Sequence, residues 1–290
     1  MKLKYEIKEH NQSQSIHQIL INELSLSTRL LSKLIKNQKI RINQNICDTR
    51  NLANSGDVIE IDFATPENSS NIVPTEMKLD IIYEDDWFLV INKPAGIPIH
   101  PSRLHYTDSL SNGIKFYFDS IGLAKKIRPV NRLDLGTSGL VIFAKCEYIQ
   151  ECFARQMANK IFQKEYLCFV NGILEQKIGT IDLPIARKKY SIIERCIDKN
   201  NGQPSVTHYE VMKEFSNYSL VKCKLETGRT HQIRVHMAAI GHPLLGDTLY
   251  GTESSLINRQ ALHSYRISCI HPVYKESLIF QSDLPNDFKK

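Results

Sequence analysis

The stretch V-N-R-L-D-L-G-T-S-G-L, residues 130 to 140, places an arginine and a carboxylate between two apolar segments of the chain. The residues at 140 to 143, L-V-I-F, have the composition of a buried strand. Residues 136 to 139, G-T-S-G, supply a tight turn. Arg132 and Asp134 are therefore predicted to lie on a short connection between core segments. That connection alone fits a reaction centre and a solvated surface turn equally well.

Two further stretches combine polar residues with a defined local structure. Lys164-Glu-Tyr166 begins an apolar strand, where a tyrosine is most often a core residue. In G-R-T-H-Q-I-R-V-H, residues 228 to 236, Thr230 is predicted to cap a helix that continues through Ala239. Arg229 falls on the loop before that helix. An arginine there can brace a carboxylate or remain an ordinary surface charge.

The composition is that of a globular protein with reduced cysteines. The 290 residues suggest about two domains, and the net charge of +6 favours an acidic partner without requiring one. Seven scattered cysteines without a C-x-x-C pair indicate free thiols in a reducing compartment. The sequence has no apolar run of about eighteen residues and no apolar N-terminal segment typical of a signal peptide. We therefore expect a cytoplasmic protein that does not associate with membranes.

No motif for a metal or a cofactor is recognisable. His231 and His236 are five residues apart, which places them on different helix faces instead of at the i, i+4 spacing of a zinc helix. An H-x-E followed by P-C-x-x-C, as in zinc-dependent base deaminases, does not occur. Phosphate-binding G-x-x-x-x-G-K and dinucleotide-binding G-x-G-x-x-G motifs are also missing. The chemistry is therefore expected to need neither a metal nor a cofactor.

The N-terminal region contains a basic helix. Ser27 or Thr28 is predicted to cap a helix that runs to about Lys36, after an opening strand over residues 3 to 7. One face of this helix presents a basic stripe that consists of Arg29, Lys33 and Lys36, and the next strand pair adds Lys39 and Arg41. These cations can form an ordinary solvated face or contact phosphates, and the local sequence does not decide between the two.

A segment rich in Ser, Asn and Pro divides the chain. We predict an N-terminal domain over residues 1–64, a linker over 65–74 and a larger domain over 75–290. In the larger domain, apolar patterns predict helices over 108–120 and 147–159, and strands over 79–83, 87–92, 165–170, 206–212, 219–225 and 262–268. Because strands and helices do not alternate, this domain is expected to be α+β, with helices flanking a mainly antiparallel mixed sheet.

Six motifs together resemble the RluA-type pseudouridine synthases. They are N-K-P-A-G at 92–96, R-L-D-L-G-T-S-G at 132–139, K-E-Y at 164–166, G-R-T-H-Q-I-R-V-H at 228–236, G-H-P-L-L-G-D at 241–247 and L-H at 262–263. This resemblance covers nearly all of residues 75 to 280. Residues 13 to 63 in turn resemble the small RNA-binding domain of ribosomal small-subunit protein four, through T-R-L-L-S-K-L-I-K-N-Q-K-I-R-I-N. The two resemblances imply a helix-plus-hairpin RNA-binding domain before a pseudouridine synthase domain.

The resemblance implies roles for the residues of these motifs. Asp134 would be the catalytic carboxylate, which either adds to the substrate or promotes its elimination to a glycal, with Arg229 as its guanidinium partner. Tyr166 would pack against the target base, since an unperturbed phenol is a weak base at neutral pH. Arg132 would occupy the place of a uridine that has been flipped out of its stack. The basic stripe, together with Lys39 and Arg41, would face the RNA.

One position departs from the pattern of this family. Many relatives have H-R-L-D, whereas this chain has Asn131 before Arg132, at a position expected to assist substrate binding and base flipping. An amide can still form hydrogen bonds but cannot take a charge. Leu135 also stands where a basic or polar residue is common. Since Asp134 and Tyr166 are retained, we still expect catalysis.

The resemblance implies a monomeric enzyme that acts on RNA without a cofactor. Its expected substrates are specific uridines of large-subunit ribosomal RNA, with tRNA as the alternative. A competing interpretation is a catalytically inactive RNA-binding assembly factor, which would not need Asp134, Tyr166 and Arg229 together. A nucleoside hydrolase is supported only by Asp134, because the paired carboxylates of glycoside hydrolysis are not evident in the sequence.

Overall fold

The computed structural model describes residues 1–288, so positions 289 and 290 of the predicted larger domain lie outside the described residues. The N-terminal lobe, residues 1–63, contains β1 (Lys2–Glu6), α1 (Ile16–Asn22), α2 (Thr28–Lys36), β2 (Ile40–Ile42), β3 (Asn45–Ile46) and β4 (Val58–Asp62). Its strands form an antiparallel sheet in the order β1-β4-β2-β3. This lobe is therefore a small sheet with two short helices.

Helix α2 begins where the sequence predicted. Ser27 is its N-cap, and the Ser27 Oγ accepts a hydrogen bond from the Leu30 backbone N–H at 3.2 Å. Leu30, Leu31 and Leu34 are buried, and the polar residues lie on the opposite side. The amphipathic pattern therefore orients this helix, and that information is local to the sequence.

The larger lobe is built on one ten-stranded sheet. Its elements are β5 (Ile81–Glu84), β6 (Phe88–Lys93), α3 (Leu110–Ser120), β7 (Arg128–Pro129), β8 (Ser138–Ala144), α4 (Glu147–Ala158), β9 (Gln163–Asn171), β10 (Ile178–Asp182), β11 (Ile185–Arg187), β12 (Arg195–Ile197), β13 (Val206–Glu214), β14 (Tyr218–Leu225), α5 (Gln232–Ala239), β15 (Leu262–Ile270) and β16 (Ser277–Gln281). A 3-10 turn follows at Asn286–Phe288. The long helices and strands predicted from the sequence are all present.

The strand order of this sheet is β10-β13-β14-β9-β15-β8-β6-β5, with β16 added beside β15 and β7 beside β8. Every pair is antiparallel except β8 with β15, which is parallel. This confirms the predicted mainly antiparallel mixed sheet. Strands β11 and β12 form a separate antiparallel hairpin. Among residues 1–288, no helix is both long enough and apolar enough to span a bilayer.

Strand β8 lies near the centre of the sheet, and all seven of its residues are buried. Because both faces of this strand are covered, its sequence is continuously apolar after Gly139 instead of alternating. Three segments meet on one side of the sheet, because residues of all three line one cleft. They are the loop that leads into β8, the first residues of β9 and the start of α5. This meeting point positions the candidate site.

The two lobes share a hydrophobic core. The ring of Phe63 stacks on Tyr148 of α4 with 5.2 Å between centroids, and it meets Trp87 edge to face at 6.2 Å. Leu20 and Leu31 from the N-terminal lobe belong to the same buried cluster as these aromatic residues. The N-terminal lobe is therefore packed against the larger lobe through apolar side chains.

The segment predicted as a linker, residues 65–74, contains no helix or strand, but it is held against the larger lobe. Glu67 accepts two hydrogen bonds from the guanidinium of Arg128, each 2.7 Å long. The ammonium of Lys125 donates to the Thr65 carbonyl at 2.8 Å, and Ile72 is buried. Sequence composition indicated an irregular segment, whereas the packing that fixes it depends on residues about sixty positions away.

Candidate active site

Residues 130–137 connect β7 to β8 and carry Asp134. The Thr137 backbone N–H donates to the Asp134 carbonyl at 3.1 Å, which closes the turn that the Gly- and Ser-rich sequence predicted. The Leu135 carbonyl accepts from the Gly96 N–H at 2.9 Å and from the Lys93 ammonium at 3.2 Å. Groups about forty residues away in the chain, the Gly96 N–H and the Lys93 ammonium, therefore hold this loop in place.

Lys93 is a buried anchor for this loop. Its ammonium also donates to the carbonyls of Pro94, at 2.9 Å, and Ile97, at 2.8 Å. Burial, followed by the nearby charge of Arg259, lowers the pKa of Lys93 to about 7. The N-K-P-A-G motif thus provides a lysine that ties the turn after β6 to the Asp134 loop.

The carboxylate of Asp134 is paired with Arg234, which lies within α5. The Arg234 Nη1 donates to the Asp134 Oδ2 at 3.1 Å. The same guanidinium donates from Nε and Nη2 to both carboxylate oxygens of Asp247, at 2.7 and 2.8 Å. Both Arg234 and Asp247 are buried. Asp247 therefore fixes the guanidinium in the orientation in which Arg234 reaches Asp134.

The expectation that Arg229 is the partner of Asp134 is wrong. Arg229 is exposed, and its Nε donates to the Pro204 carbonyl at 3.3 Å. The physical reason is that Arg229 lies on the loop before α5, whereas Arg234 lies inside the helix and points into the core beside Asp134. Arg229 nevertheless lines the cleft that leads to Asp134.

Helix α5 also begins later than predicted, because His231 and not Thr230 is its N-cap. His231 adopts a left-handed backbone conformation with φ of 60°, which is uncommon for a residue with a side chain. The buried side chain of Gln232 accepts from the Arg229 N–H at 3.0 Å and donates to the Val206 carbonyl at 2.9 Å. The Gln232 side chain thus provides hydrogen bonds to the loop before α5, where a Thr230 cap had been expected.

His231 lies beside Asp134 and is oriented by Tyr250. The Tyr250 hydroxyl accepts from the Arg195 N–H at 2.8 Å, and it lies 2.8 Å from the His231 Nδ1. This arrangement lets the hydroxyl donate to Nδ1, so that the imidazole proton resides on Nε2, 3.8 Å from the Asp134 Oδ2. Burial lowers the pKa of His231 against the opposing effect of the Asp134 carboxylate.

A cleft of about 690 Å³ opens beside Asp134 and brings the predicted residues together. Arg132, Asp134, Tyr166 and Arg229 all line it. Arg132 is exposed, and it forms no ion pair within residues 1–288. The Arg132 guanidinium and the Asp134 carboxylate are therefore both available to a ligand that enters the cleft.

Tyr166 forms part of the cleft wall and is otherwise buried in the core of the larger lobe. Burial raises the pKa of its phenol, and the Asp134 carboxylate raises it further. A phenol with a raised pKa stays protonated at neutral pH and is a poor proton acceptor. The raised pKa therefore disfavours proton abstraction by Tyr166 at neutral pH.

Asn131 does not present its amide to the cleft. Its Nδ2 donates to the Leu140 carbonyl at 3.0 Å, and its Oδ1 accepts from the Ile142 N–H at 2.9 Å. The residue is 6% exposed. The expected role of Asn131 in substrate contact is therefore corrected to a structural one, because both polar groups of the side chain are used by the backbone of β8.

The N-terminal basic residues divide into two groups. Lys33 lies 3.1 Å from Glu147 and 3.7 Å from Glu67, and Arg29 lies 3.7 Å from Glu147. Lys39 pairs with Asp62 at 3.3 Å. By contrast, Lys36 and Arg41 are exposed and form no ion pair within the part of the chain that the structure describes. All three residues of the basic stripe are exposed, but Arg29 and Lys33 lie 3.7 and 3.1 Å from Glu147 in the first turn of α4, which offsets part of their charge.

Sequence reasoning missed Arg234, Asp247 and Tyr250. Arg234 lies in the quoted motif G-R-T-H-Q-I-R-V-H, between two apolar residues, and a cation flanked in this way signals a buried charge that needs a partner. Asp247 ends the motif G-H-P-L-L-G-D. Across residues 1–288, no cluster of three or more His, Cys, Asp or Glu side chains is placed to hold a metal ion.

Comparison with known proteins identifies the family of this chain. Residues 87–239 match the family model described as RNA pseudouridylate synthase. The chain is 38% identical over 289 residues to the uncharacterized RNA pseudouridine synthase YhcT of Bacillus subtilis, covering 99% of this chain and 95% of that protein. It is 35% identical to the ribosomal large subunit pseudouridine synthase D of Neisseria meningitidis serogroup B over 269 residues, which cover 89% of this chain and 72% of the relative.

A solved structure shares the fold. The human RNA pseudouridylate synthase domain containing 1 superposes with a TM-score of 0.60 at 26% identity, covering 76% of this chain and 87% of that chain. The family model, the relatives and the solved structure therefore agree on one family. This chain belongs to the RNA pseudouridylate synthase family and is a pseudouridine synthase.

Proposed function

We propose that this pseudouridine synthase isomerises specific uridines of large-subunit ribosomal RNA in the cytoplasm, acting as a monomer without a metal or a cofactor. The substrate is suggested by relatives named ribosomal large subunit pseudouridine synthase D, which include those of Neisseria meningitidis and Zymomonas mobilis. tRNA is the alternative substrate. The position of the target uridine depends on RNA shape and on loop contacts, which these relatives do not specify.

The observation that carries the proposal is the pairing of Asp134 with the buried guanidinium of Arg234, 3.1 Å away, at the inner end of the cleft. In pseudouridine formation the bond between N1 and C1′ breaks, the base turns, and C5 bonds to C1′ while C5 loses a proton and N1 gains one. Asp134 would act either by adding to the substrate or by promoting its elimination to a glycal. Arg234 and His231 would orient that carboxylate.

Access to a stacked uridine requires that the base be extruded, at a cost of a few kcal/mol. Arg132 is suited to occupy the vacated place, because it is exposed at the mouth of the cleft. Tyr166 would then pack against the flipped base. Coulomb attraction between the basic residues and RNA phosphates would offset part of the cost.

We also propose that the N-terminal lobe binds RNA, as its resemblance to the RNA-binding domain of ribosomal small-subunit protein four suggests. Lys36 and Arg41 are the residues best placed for phosphate contact, since both are exposed and form no ion pair within residues 1–288. Arg29, Lys33 and Lys39 would contribute less, because each lies within reach of a carboxylate in the protein. Of the five basic residues expected to face RNA, Lys36 and Arg41 are therefore proposed as the main phosphate contacts.

The test is release of tritium from large-subunit ribosomal RNA transcripts that carry tritium at uridine C5, compared with tRNA transcripts. Wild-type protein should release tritium from ribosomal RNA, and Asp134→Asn should not. Asp86→Asn, at an exposed carboxylate outside the cleft, is the matched control and should behave as wild type. Binding of RNA without release would support the inactive assembly factor instead, whereas free uracil in the products would indicate hydrolysis.

A further inference from the structure

The hairpin formed by β11 and β12, residues 185–197, projects from the larger lobe with an exposed tip. Tyr190 is 94% exposed and Ile192 is 85% exposed. The ammonium of Lys189 lies 4.9 Å from the centre of the Tyr190 ring. Exposed apolar side chains that cluster at one loop tip can mark a binding surface.

The root of this hairpin is fixed next to the active site. The Arg195 backbone N–H donates to the Tyr250 hydroxyl, which in turn lies 2.8 Å from His231. On the other side, Ile185 pairs with Gln203. The tip is therefore free to contact a ligand while the root is held at a defined place relative to Asp134.

A groove of about 390 Å³ lies under the hairpin and is strongly basic. Its lining includes Arg132, Arg187, Arg195 and Arg229, and contains no acidic residue. None of these four arginines forms an ion pair within residues 1–288. The groove shares Arg132 and Arg229 with the cleft that leads to Asp134, so the two cavities lie next to each other.

Two of these arginines face each other across the hairpin. Arg187 and Arg195 are directly paired in the antiparallel register of β11 and β12. Like charges at directly opposite positions of a strand pair destabilise it unless a counter-charge is present. The Arg195 Nη1 partly compensates by donating to the carbonyls of Ile193 and Glu194, at 3.2 and 3.1 Å. An anion in the groove would relieve the remaining repulsion.

We infer that the groove under the β11–β12 hairpin binds phosphates of the RNA strand that flanks the target uridine, and that Tyr190 stacks on an unpaired base of that strand. The inference rests on the proposed RNA substrate. A basic groove beside an exposed aromatic side chain is the arrangement with which proteins hold single-stranded nucleic acid. Because the groove and the cleft share two arginines, RNA that flanks a uridine in the cleft lies within reach of the groove.

The experiment measures binding of the full-length protein to a fluorescein-labelled, uridine-containing RNA stem-loop by anisotropy, over a range of salt concentrations. Tyr190→Ala should weaken binding about tenfold, and Tyr190→Phe should restore it, because the ring and not the hydroxyl stacks on the base. Arg187→Ala should weaken binding and reduce the dependence of log K on log salt by about one phosphate contact. In steady-state assays, both alanine variants should raise KM more than they lower kcat.

Tyr274→Ala and Lys213→Ala are matched controls, since both residues are exposed and lie outside the groove and the cleft. Affinity in Tyr190→Ala and Arg187→Ala equal to that of wild type would overturn the inference. A change in sedimentation mass at unchanged RNA affinity would overturn it in favour of a protein contact. Weaker RNA binding by the hairpin variants, combined with no tritium release by wild type from ribosomal RNA, would support the groove while counting against the proposed substrate.

Discussion

The guanidinium of Arg234 joins the carboxylates of Asp134 and Asp247, at 3.1 Å to the first and at 2.7 and 2.8 Å to the second. Asp247 is 1% exposed, so this pair is fixed before a substrate binds. Burial opposes the charge of Arg234, but hydrogen bonds and attraction to Asp247 raise its pKa overall. Arg234 is thus a preorganised cation next to the proposed catalytic carboxylate.

We predict that Arg234→Lys strongly reduces catalysis. A lysine cannot make the bidentate contact with Asp247 while also reaching Asp134, so the carboxylate loses its orienting partner. A misplacement of about 1 Å can cost about 100-fold in rate, and we expect a loss of this size in single-turnover tritium release. Retained thermal stability would show that the loss is not due to unfolding. Activity close to wild type would contradict the role of Arg234.

The variant Arg229→Ala should behave differently. Because Arg229 lines the cleft but does not touch Asp134, its removal should raise KM for RNA and leave kcat near that of wild type. The measurement is steady-state tritium release at varied RNA concentration. A loss of kcat as large as that of Arg234→Lys would restore Arg229 as the partner of Asp134.

The variant Asn131→Ala should destabilise the protein. It leaves the buried Ile142 N–H without a partner and the Leu140 carbonyl with only the longer bond from the Ser264 hydroxyl at 3.5 Å, and an unsatisfied buried group costs about 1–3 kcal/mol. Asn131→His should be less harmful, because an imidazole also offers one donor and one acceptor, and it should not increase activity. Denaturant unfolding measures the first effect. Lost activity at unchanged stability would instead indicate a substrate contact by Asn131.

His263 should make stability depend on acidity. Its ring lies 2.9 Å from the Ser138 hydroxyl and 3.0 Å from that of Ser282, and burial lowers its pKa to about 4. Between about pH 6.5 and 4 the unfolded state therefore binds the proton and the native state does not. Stability should fall as the pH drops through this window, by on the order of 3 kcal/mol. Urea unfolding of wild type and His263→Gln at pH 7 and 4.5 tests this. An equal loss of unfolding free energy in the two proteins between these pH values would refute the role of His263.

Arg259 is predicted to position the Asp134 loop. Its Nη1 donates to the Gly136 carbonyl at 2.9 Å, while Nε and Nη2 bind the carboxylate of Asp287 at 2.6 and 2.9 Å. Arg259→Ala should lower kcat more than it raises KM, because the loop loses an anchor and no proposed RNA contact is removed. Asp287→Asn should have a smaller effect, since the bond to Gly136 remains. An effect on KM alone would contradict the positioning role.

Much of the fold is readable from the sequence because it depends on local patterns. The Ser27 cap and the buried leucines of α2 follow from neighbouring residues, as does the continuously apolar β8. The hairpin of β11 and β12 was missed, because its strands have three residues each, which is too short to show a periodic pattern. The late start of α5 depends on the Gln232 contacts with β13, which no local pattern reveals.

By itself, the sequence determined the α+β class and the family motifs, and the resemblance that these motifs carry implied a common site for Asp134, Tyr166, Arg132 and Arg229. The structure places all four side chains on the lining of one cleft. Only the tertiary structure decided which arginine meets Asp134. The choice between Arg229 and Arg234 depends on how α5 packs, and on a buried carboxylate thirteen residues further along the chain that fixes one guanidinium and not the other. Charge pairing in a core depends on distances in space, and residue spacing alone does not specify them.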